Sequence, residues 1–538
     1  MATTINNKLN ELSQISVLFD KESNIKKNKL IIELSTFKNF TPLTLLNYHN
    51  ILLFIITHCN NENQRVLIEN EFGRIAALIK RNQWQNETVL LDSGLPYTFM
   101  LTRFSCDAFL YLMKNKYIQL ELYSLENEQF GINDLLSLTL PELFAEETTL
   151  AYEKDVLLKR FGVKNKCDLH FIIHQIQNMK ASHLVKDYLW QLLCPFIYIS
   201  SKSKEYSKTY NQLSFATFYD QIDLFKNFNQ NELLSKKLPS ELKLNKKDKD
   251  HLIQTIKNSM LLTMRETDTS IYMDENTLHY FELERGYSIA IYGMEVDRQL
   301  PMQSYIGFNL FKNGYTLAYG GSWIFGRHAM FGLNLFPEFR GGESGYLMCQ
   351  ILRTYIQLFQ LTYIEVDSYM FGNGNADGIK SAAYWFYYKH GFRSIETSIR
   401  KIAESEQQKK LHNKNHRTKE KTLLQLAQCN MALNLGHDIP ISRLEQREVI
   451  LKMVEKYYKG DIQGAMNNCI KEWCLKANIK SSSIIETKAF KEMAMWIKAF
   501  QIKDKRRLDI ALNMVTSKYN DPIEYNKQLM DFLDFKQT

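Results

Sequence analysis

The sequence predicts an α+β protein, in which a mixed, largely antiparallel sheet with helices is flanked by mainly α-helical N-terminal and C-terminal regions. Two observations predict this class. Apolar residues recur at steps of three and four through most of residues 1–230 and again in residues 423–538, as they do in packed amphipathic helices. Residues 251–397 instead carry strand-favouring residues separated by tight-turn signals, followed by two strand-and-helix units.

The size and composition of the chain are those of a large globular protein. Its 538 residues exceed what a single hydrophobic core usually serves, so several domains are expected. Hydrophobic residues make up 45% of the chain, which excludes wholesale disorder. A net charge of +8 over this length is not that of a dedicated nucleic-acid binder. The 8 dispersed cysteines and the polar N-terminus predict a reduced, cytoplasmic location.

Changes in composition divide the chain into five segments. Clustered Lys and one Pro mark an exposed connector, and a second basic, polar stretch without apolar periodicity follows the strand-rich part. The predicted segments are a mainly helical N-terminal domain at 1–230, a basic linker at 231–250, the sheet domain at 251–397, a basic polar connector at 398–422 and a helical C-terminal region at 423–538.

Local patterns refine this outline. The apolar run at residues 43–56 is interrupted by polar side chains and is shorter than the roughly 20 residues that span a bilayer, so it predicts a buried helix and no membrane span. Residues 117–123 and 196–200 are either strands or helix segments, because periodicity does not separate the two over so short a run. The Lys-Asn-Gly sequence at 312–314 predicts a hairpin turn, and Gly-Arg at 326–327 predicts the next one.

A glycine-rich turn lies between a predicted strand that ends near Phe336 and a predicted helix over residues 346–359. The first backbone N–H groups of a helix lack partners and sit at the positive end of its dipole, which suits a phosphate. The small residues of 341–345 let the backbone approach phosphate oxygens closely, and Arg340 adds a fixed positive charge. The turn therefore predicts a phosphate-bearing ligand.

The same region resembles a known family. The run LNLFPEFRGGESGYL at 333–347 is similar to the acetyl-CoA-binding motif of the GNAT superfamily of N-acetyltransferases. Ala383, Tyr387, Gly391 and Phe392 fall in the register of that family's later helix, and this stretch is predicted as one Tyr-rich helix that stops at Gly391. The two motifs have the right order and separation, and they cover about sixty residues after position 329. The terminal regions have no counterpart in the family.

The resemblance implies an acyltransferase that moves an acyl group from acetyl-CoA or another acyl-CoA to a small-molecule or peptide amine. The strand before the glycine turn would splay from the next strand and pair with the pantetheine arm, while the turn would bind the diphosphate. Tyr387 would protonate the departing thiolate as a general acid. The implied cofactor-binding residues are Leu333, Leu335, Phe336, Arg340, Gly341, Gly342, Ser344, Gly345, Tyr346 and Lys380.

Two positions depart from the family pattern. The sequence also does not decide which residue removes the proton from the amine. Glu343 stands where the family commonly repeats a glycine, and its carboxylate would repel diphosphate unless it points outward. Lys380 replaces the family's usual Asn, where it either pairs with a phosphate or faces water. Glu365 and Asp367, two residues apart on a predicted strand, are the candidate bases for the amine, although the same spacing suits an ordinary solvent-facing strand. Glu338 is a weaker candidate.

Three other residue patterns give weaker indications of function. Cys167, His170 and His174 could share one helix face, but no fourth ligand is apparent, so no metal is expected. The glycines of 372–378 follow a GxGxxxG spacing that favours a loop at the ligand mouth over a dinucleotide site. The basic run at 401–421 has few aromatic residues and favours a solvated helix or loop over nucleic-acid binding.

Two alternative functions stay open at this stage. One is a non-catalytic scaffold, in which the acyltransferase-like sheet has decayed and the N-terminal helices bind a protein partner. The other is transfer from aminoacyl-tRNA, which would give the basic run at 401–421 a role and predicts RNA binding that weakens steeply with salt.

Overall fold

The structure, a computed structural model, describes residues 2–150, 152–164, 167–440 and 442–534. These residues form two compact units. The first unit comprises Met1–Leu224, Leu244–Ile271 and Lys312–Thr316, and the second comprises Phe225–Lys243, Tyr272–Phe311 and Leu317–Thr538.

The first unit is mainly helical. Its helices begin at side-chain caps such as Asp20, Thr41 and Asn61, each of which accepts a hydrogen bond from the first turn. The helix over the apolar run at 43–56 is largely buried, as predicted. The helices in this part of the chain are α1 (Ala2–Ile15), α2 (Lys21–Ser35), α3 (Pro42–Thr57), α4 (Glu62–Arg81), α5 (Cys106–Met113), α6 (Ile132–Thr139), α7 (Glu142–Thr149), α8 (Lys154–Arg160), α9 (Asp168–Asn178), α10 (His183–Leu193), α11 (Gln230–Ser235, in the second unit), α12 (Lys246–Leu262) and α13 (Asp268–Ile271).

A small antiparallel sheet completes the first unit. Its strands β1 (Met100–Thr102), β2 (Ile118–Leu125) and β3 (Pro195–Ser201) are arranged in the order β1-β3-β2. The two short stretches that periodicity left open are therefore strands. Their inward residues Leu122 and Ile197 pack with α5 and α9 in one buried apolar cluster.

The second unit is built on an eight-stranded mixed sheet, which confirms the predicted α+β class and the mostly antiparallel pairing. The pairing of β8 with β9 is parallel, whereas β4 with β5, β7 with β8, β9 with β11 and β10 with β11 are antiparallel. The strand order is β10-β11-β9-β8-β7-β6-β5-β4. The strands are β4 (His279–Glu282), β5 (Tyr287–Gly293), β6 (Ser304–Lys312), β7 (Tyr315–Phe325), β8 (His328–Leu335), β9 (Tyr363–Val366), β10 (Arg393–Ser394) and β11 (Met431–Asn434).

Both predicted hairpin turns are confirmed. The turn between β6 and β7 places Asn313 at φ 49° and Gly314 at φ 83°, and the turn between β7 and β8 places Gly326 at φ 57°. Asn and Gly tolerate this left-handed backbone better than other residues do, which is why the local sequence was sufficient to locate the turns.

The remaining helices follow the sheet in sequence. The C-terminal helices share one buried core with Phe325 of the sheet, in which Trp473 and Phe490 stack at 4.2 Å. They are α14 (Ser344–Phe359), α15 (Ala376–Lys380), α16 (Ala383–Lys389), α17 (Thr397–His412), α18 (Glu420–Leu426), α19 (Arg443–Tyr458), α20 (Ile462–Ala477), α21 (Ser482–Ile485), α22 (Lys488–Ala499), α23 (Lys505–Ser517) and α24 (Pro522–Leu533). Along the described part of the chain, none of the helices has the length and apolar character needed to cross a bilayer.

The domain boundaries differ from the sequence-based expectation. Residues 231–250 are helical at both ends, in α11 and at the start of α12, and residues 398–422 lie mostly in α17 and α18, so neither basic stretch is an unstructured connector throughout. Leu233 and Leu234 of α11 are buried, as are Ile399 and Ala403 of α17. Each basic stretch therefore has an apolar side that packs while its lysines face solvent. The region 423–538 supplies β11 to the sheet and belongs to the second unit.

Candidate functional site

The turn before α14 exposes backbone donors, as the sequence predicts. A short 3-10 turn, Pro337–Phe339, follows β8, and Gly341 has a φ of 84°, which a residue with a side chain rarely adopts. Glu343 at the N-cap forms no side-chain capping bond, and the first turn of α14 contains no acid. Within the described ranges, an acceptor is missing for the amide N–H groups of Gly341, Gly342, Ser344, Gly345 and Tyr346.

The outer side of this turn is open. Arg340 is exposed and forms no ion pair with any residue that the structure describes. A Cβ atom placed on Gly341 would have nothing within 4 Å. The open space, the guanidinium and the unpartnered amides lie next to one another, and together they provide what an anion needs at a helix start.

The carboxylate of Glu343 points away from these amides. Its side chain has no exposed surface and accepts hydrogen bonds from Tyr287 Oη at 2.9 Å and from the Phe225 amide at 2.8 Å. Arg285 forms an ion pair with it at 3.2 Å. The negative charge of Glu343 is therefore balanced by Arg285, in the loop between β4 and β5. It does not face the unpartnered amides of the turn.

The inner side of the turn is closed by His390 and Phe228. A Cβ atom placed on Gly345 would lie 2.9 Å from His390 Cε1 and 3.9 Å from Phe228 Cζ, so only glycine fits here. Gln230 holds His390 in place, since its Oε1 lies 3.1 Å from His390 Nδ1 and its Nε2 donates to the His390 carbonyl at 2.9 Å. Burial and the neighbouring Lys389 lower the pKa of His390 to about 4, so the ring is neutral at physiological pH. Access for a ligand is therefore from the Gly341 side.

The Tyr346 ring is packed rather than free. It meets Phe225 and Phe228 edge to face at 5.1 and 5.7 Å, and its hydroxyl accepts a hydrogen bond from Gln350 at 2.6 Å. The Tyr346 side chain is therefore not available to a ligand.

Strand β8 extends beyond the end of β9 toward this turn. Their parallel pairing covers only three residues of each strand, from His328 with Tyr363 to Met330 with Glu365. Strand β8 continues to Leu335 while it remains paired with β7. In the described structure, its edge toward β9 therefore has no strand partner after Met330. Of the predicted pantetheine contacts, Leu333 and Leu335 lie on this stretch, whereas the Phe336 amide donates to Leu317 of β7 at 3.0 Å.

Glu365 lies in the last residue pair between β8 and β9. Because Phe331 packs on Tyr355 of α14, alternation along the strand places Met330, and Glu365 paired beside it, on the opposite face of the sheet. Glu365 Oε2 lies 3.0 Å from His328 Nε2, and Glu365 Oε1 accepts from Asn430 Nδ2 at 2.6 Å. Burial alone would raise the pKa of Glu365, but the hydrogen bonds from His328 and Asn430 outweigh it and lower this pKa.

Asp367 has a different position from the one that the sequence suggests. Strand β9 ends at Val366, and Asp367 caps the following 3-10 turn, Ser368–Phe371, by accepting from the Tyr369 amide at 2.8 Å. Its side chain is exposed. The two predicted bases therefore do not share a strand face, because the chain turns between them.

Tyr387 and Lys380 lie on two separate short helices. The predicted single helix is broken at Ala382, whose φ of 50° separates α15 from α16, whereas its end before Gly391 is confirmed. Tyr387 is buried among the rings of Phe371 and Phe392, and this burial raises its pKa. Lys380 ends α15, is exposed and forms no ion pair with a described residue.

Sequence reasoning missed several residues of the site. His328, Asn430, Arg285 and His390 come from four places in the chain that share no local motif, so only the fold brings them to β9 and the start of α14. Among the described residues, no group of three or more His, Cys, Asp or Glu could hold a metal ion, and the set around His170 is not brought together as one.

Comparison with protein-family models, with curated proteins and with solved structures finds no match to this chain. The fold and the site define an α+β protein whose mixed sheet contains two parallel strands, the longer of which continues unpaired on one edge toward the start of an uncapped helix.

Proposed function

We propose that the second unit is an N-acyltransferase that moves an acyl group from acetyl-CoA, or another acyl-CoA, to an amine. The observation that carries this proposal is the edge of β8 after Met330, which no strand covers because β9 ends at Val366 while β8 continues to Leu335 toward α14. An unpaired strand edge offers backbone donors and acceptors in an extended row. The amide groups of a pantetheine arm match such a row, as a further strand would.

The diphosphate has a matching place at the end of this edge. The amides of Gly341, Gly342 and Ser344, which have no acceptor among the described residues, lie at the positive end of the α14 dipole, and Arg340 is exposed beside them. Because Arg285 forms a buried ion pair with Glu343, the charge of this carboxylate does not oppose the binding of an anion at the turn. The thioester would then lie toward Met330, where the pairing of β8 with β9 ends, with Glu365 on the side opposite α14.

Acyl transfer to an amine requires two proton movements. The amine nitrogen forms a bond to the thioester carbonyl carbon, the carbon–sulfur bond breaks, the nitrogen loses a proton and the thiolate gains one. In this proposal Tyr387 donates the proton to the thiolate, because burial keeps its phenol protonated. The group that takes the proton from the amine would lie beside Glu365, in the last residue pair of β8 with β9.

Calorimetric titration of the full chain with coenzyme A and acetyl-CoA tests the cofactor. We expect saturable binding that weakens about tenfold in Arg340→Glu, because a charge-assisted contact to phosphate is lost, and that falls with added salt. Lys401→Glu, an equal charge change on exposed α17, is the matched control and should bind as the wild type does. Absence of heat and of thermal stabilisation at millimolar coenzyme A would remove the proposal.

A scaffold without catalysis is the second candidate. The closure of the inner side of the turn by His390 and Phe228 and the enclosure of Tyr387 favour it, because both leave less room for a substrate. A full chain that binds no coenzyme A but copurifies with a stoichiometric protein partner would support this function instead.

A further inference from the structure

A carboxylate–imidazole pair joins the neighbouring strands β8 and β9 within their paired stretch. His328 is the first residue of β8, and its Nε2 lies 3.0 Å from Oε2 of Glu365 on β9. Their side chains are 11% and 16% exposed, so the pair is largely shielded from water yet reaches the surface of the sheet. Asn430, directly before β11, donates to the other oxygen of Glu365 at 2.6 Å and accepts from the Ser368 amide at 2.9 Å.

These contacts fix which nitrogen of His328 carries a hydrogen. An ionised carboxylate only accepts, so the His328 Nε2 that faces Glu365 has to be the N–H donor. The neutral ring then has its lone pair on Nδ1, and no described residue donates to that atom. The Tyr363 ring stacks on the imidazole at 5.4 Å, which holds the plane of the ring.

We infer that His328 is the group that accepts the proton of the attacking amine, and that Glu365 is a positioning residue that orients it. This inference rests on the proposed acyl transfer. The amine nitrogen bonds to the thioester carbonyl carbon, its proton passes to His328 Nδ1, the carbon–sulfur bond breaks, and the thiolate takes the proton of Tyr387. Glu365 and Asn430 remain in place throughout.

Glu365 is poorly suited to take the proton itself. Both of its oxygens already accept a hydrogen bond, and these two donors make the carboxylate less basic. A neutral imidazole instead keeps a lone pair on its second nitrogen, which can accept a proton as a general base requires. A carboxylate on the far nitrogen also stabilises the imidazolium that forms, as in other oriented histidines.

The other charged groups around this pair are few. Tyr363 lies on the same strand as Glu365, and Arg400 of α17 is the cation whose field reaches Tyr363. Arg400 donates to the Ser394 carbonyl at 3.0 Å, and Arg327, next to His328, is ion-paired with Asp534 at 2.7 Å. Neither guanidinium occupies the hydrogen-bonding positions of His328.

Kinetics of the full-length protein separate the two roles. The probe is release of free thiol from acetyl-CoA, with water alone and with tyramine, spermidine or a lysine-containing peptide as acceptor. His328→Asn should lower kcat by about a hundredfold with little change in KM for acetyl-CoA, and should abolish the acidic limb of the rate profile against pH. Glu365→Gln should lower kcat less, and Glu365→Asp should recover part of that loss.

A spectroscopic measurement provides an independent readout. Nitrogen-15 NMR of the wild type, with His328 assigned by its loss in His328→Asn, should show the neutral ring protonated at Nε2, and Glu365→Gln should mix the two tautomers. His437→Asn, at an exposed position, is the control for both measurements. Calorimetry with coenzyme A on each variant confirms that the fold and the cofactor site are intact.

The outcomes are distinguishable. A wild-type rate with its acidic limb intact in His328→Asn, or a ring protonated at Nδ1, overturns the inference while the proposed function stands. Bound acetyl-CoA without any thiol release in the wild type also overturns it. Loss of coenzyme A binding in the wild type instead removes the proposed function, and with it the role of His328.

Discussion

The carboxylate of Glu343 lies 2.9 Å from the hydroxyl of Tyr287, although Glu343 occupies the N-cap of α14. An acid at a helix start usually satisfies the amides of its own helix. Here the Glu343 carboxylate instead interacts with Arg285, in the loop between β4 and β5, and with Tyr287 directly after that loop. Burial and the charge of Glu343 raise the pKa of Tyr287, which therefore stays a hydrogen-bond donor. The amides of α14 are left for another acceptor.

Glu343→Gln should destabilise the protein by about 3 kcal/mol, because Arg285 loses its counter-charge beside a side chain with no solvent exposure. Denaturation in urea measures this. Glu62→Gln is the matched control, since Glu62 pairs with Arg65 at 3.0 Å but is 78% exposed, and it should change stability by less than about 0.5 kcal/mol. Equal effects of the two substitutions would mean that the Glu343 cluster is not buried as described.

Gly345→Ala and Gly73→Ala should change the free energy of unfolding in opposite directions. Both glycines lie in helices, where Ala is favoured by about 1 kcal/mol. A Cβ atom on Gly73 of α4 has nothing within 4 Å, so Gly73→Ala should stabilise by that amount. A Cβ atom on Gly345 would lie 2.9 Å from His390, so Gly345→Ala should cost about 1 to 3 kcal/mol despite the better propensity. Thermal unfolding compares the two, and stabilisation by both substitutions would contradict the packing of His390 against α14.

His390 should make stability fall with acid. Burial lowers its pKa from 6.5 to about 4 in the folded state, so the unfolded chain binds a proton that the folded chain refuses. The stabilisation is complete above the unfolded pKa and is lost as pH falls from 6.5 toward 4, by on the order of 3 kcal/mol. His390→Gln should flatten the slope of unfolding free energy in this window. Exposed His412→Gln should leave the slope unchanged, and a slope that survives His390→Gln would assign it to another group.

The sequence predicted the parts of the fold that depend on local chemistry. The turn at Asn313 and Gly314, the glycine turn before α14 and the helix end before Gly391 each follow from residues that favour one backbone conformation. The order of these turns and strands along the chain also predicted a mixed, largely antiparallel sheet. Strand β11 was not predicted, because four residues within an otherwise helical region become a strand only by pairing with β9 far away in the chain.

The site was predictable only where it is continuous in sequence. Arg340 and the glycines form one run, so their backbone role could be inferred in advance. The partners of Glu365 are 37 and 65 residues away, and no spacing rule connects them. The predicted pairing of Glu365 with Asp367 on one strand depended on where β9 ends, and strand ends are set by tertiary pairing rather than by propensity.

Tyr387→Phe should lower acyl transfer from acetyl-CoA about a hundredfold if the phenol supplies the proton to the thiolate. The substitution should not destabilise the fold, because the Tyr387 hydroxyl has no hydrogen-bond partner among the residues that the structure describes. Tyr384→Phe on the same helix is the matched control. The Tyr384 hydroxyl lies 2.7 Å from Ser394 Oγ, so its removal should cost about 1 kcal/mol of stability and leave turnover unchanged. Thiol release, coenzyme A calorimetry and thermal unfolding on both variants separate the two effects, and unchanged turnover in Tyr387→Phe would exclude Tyr387 as the acid.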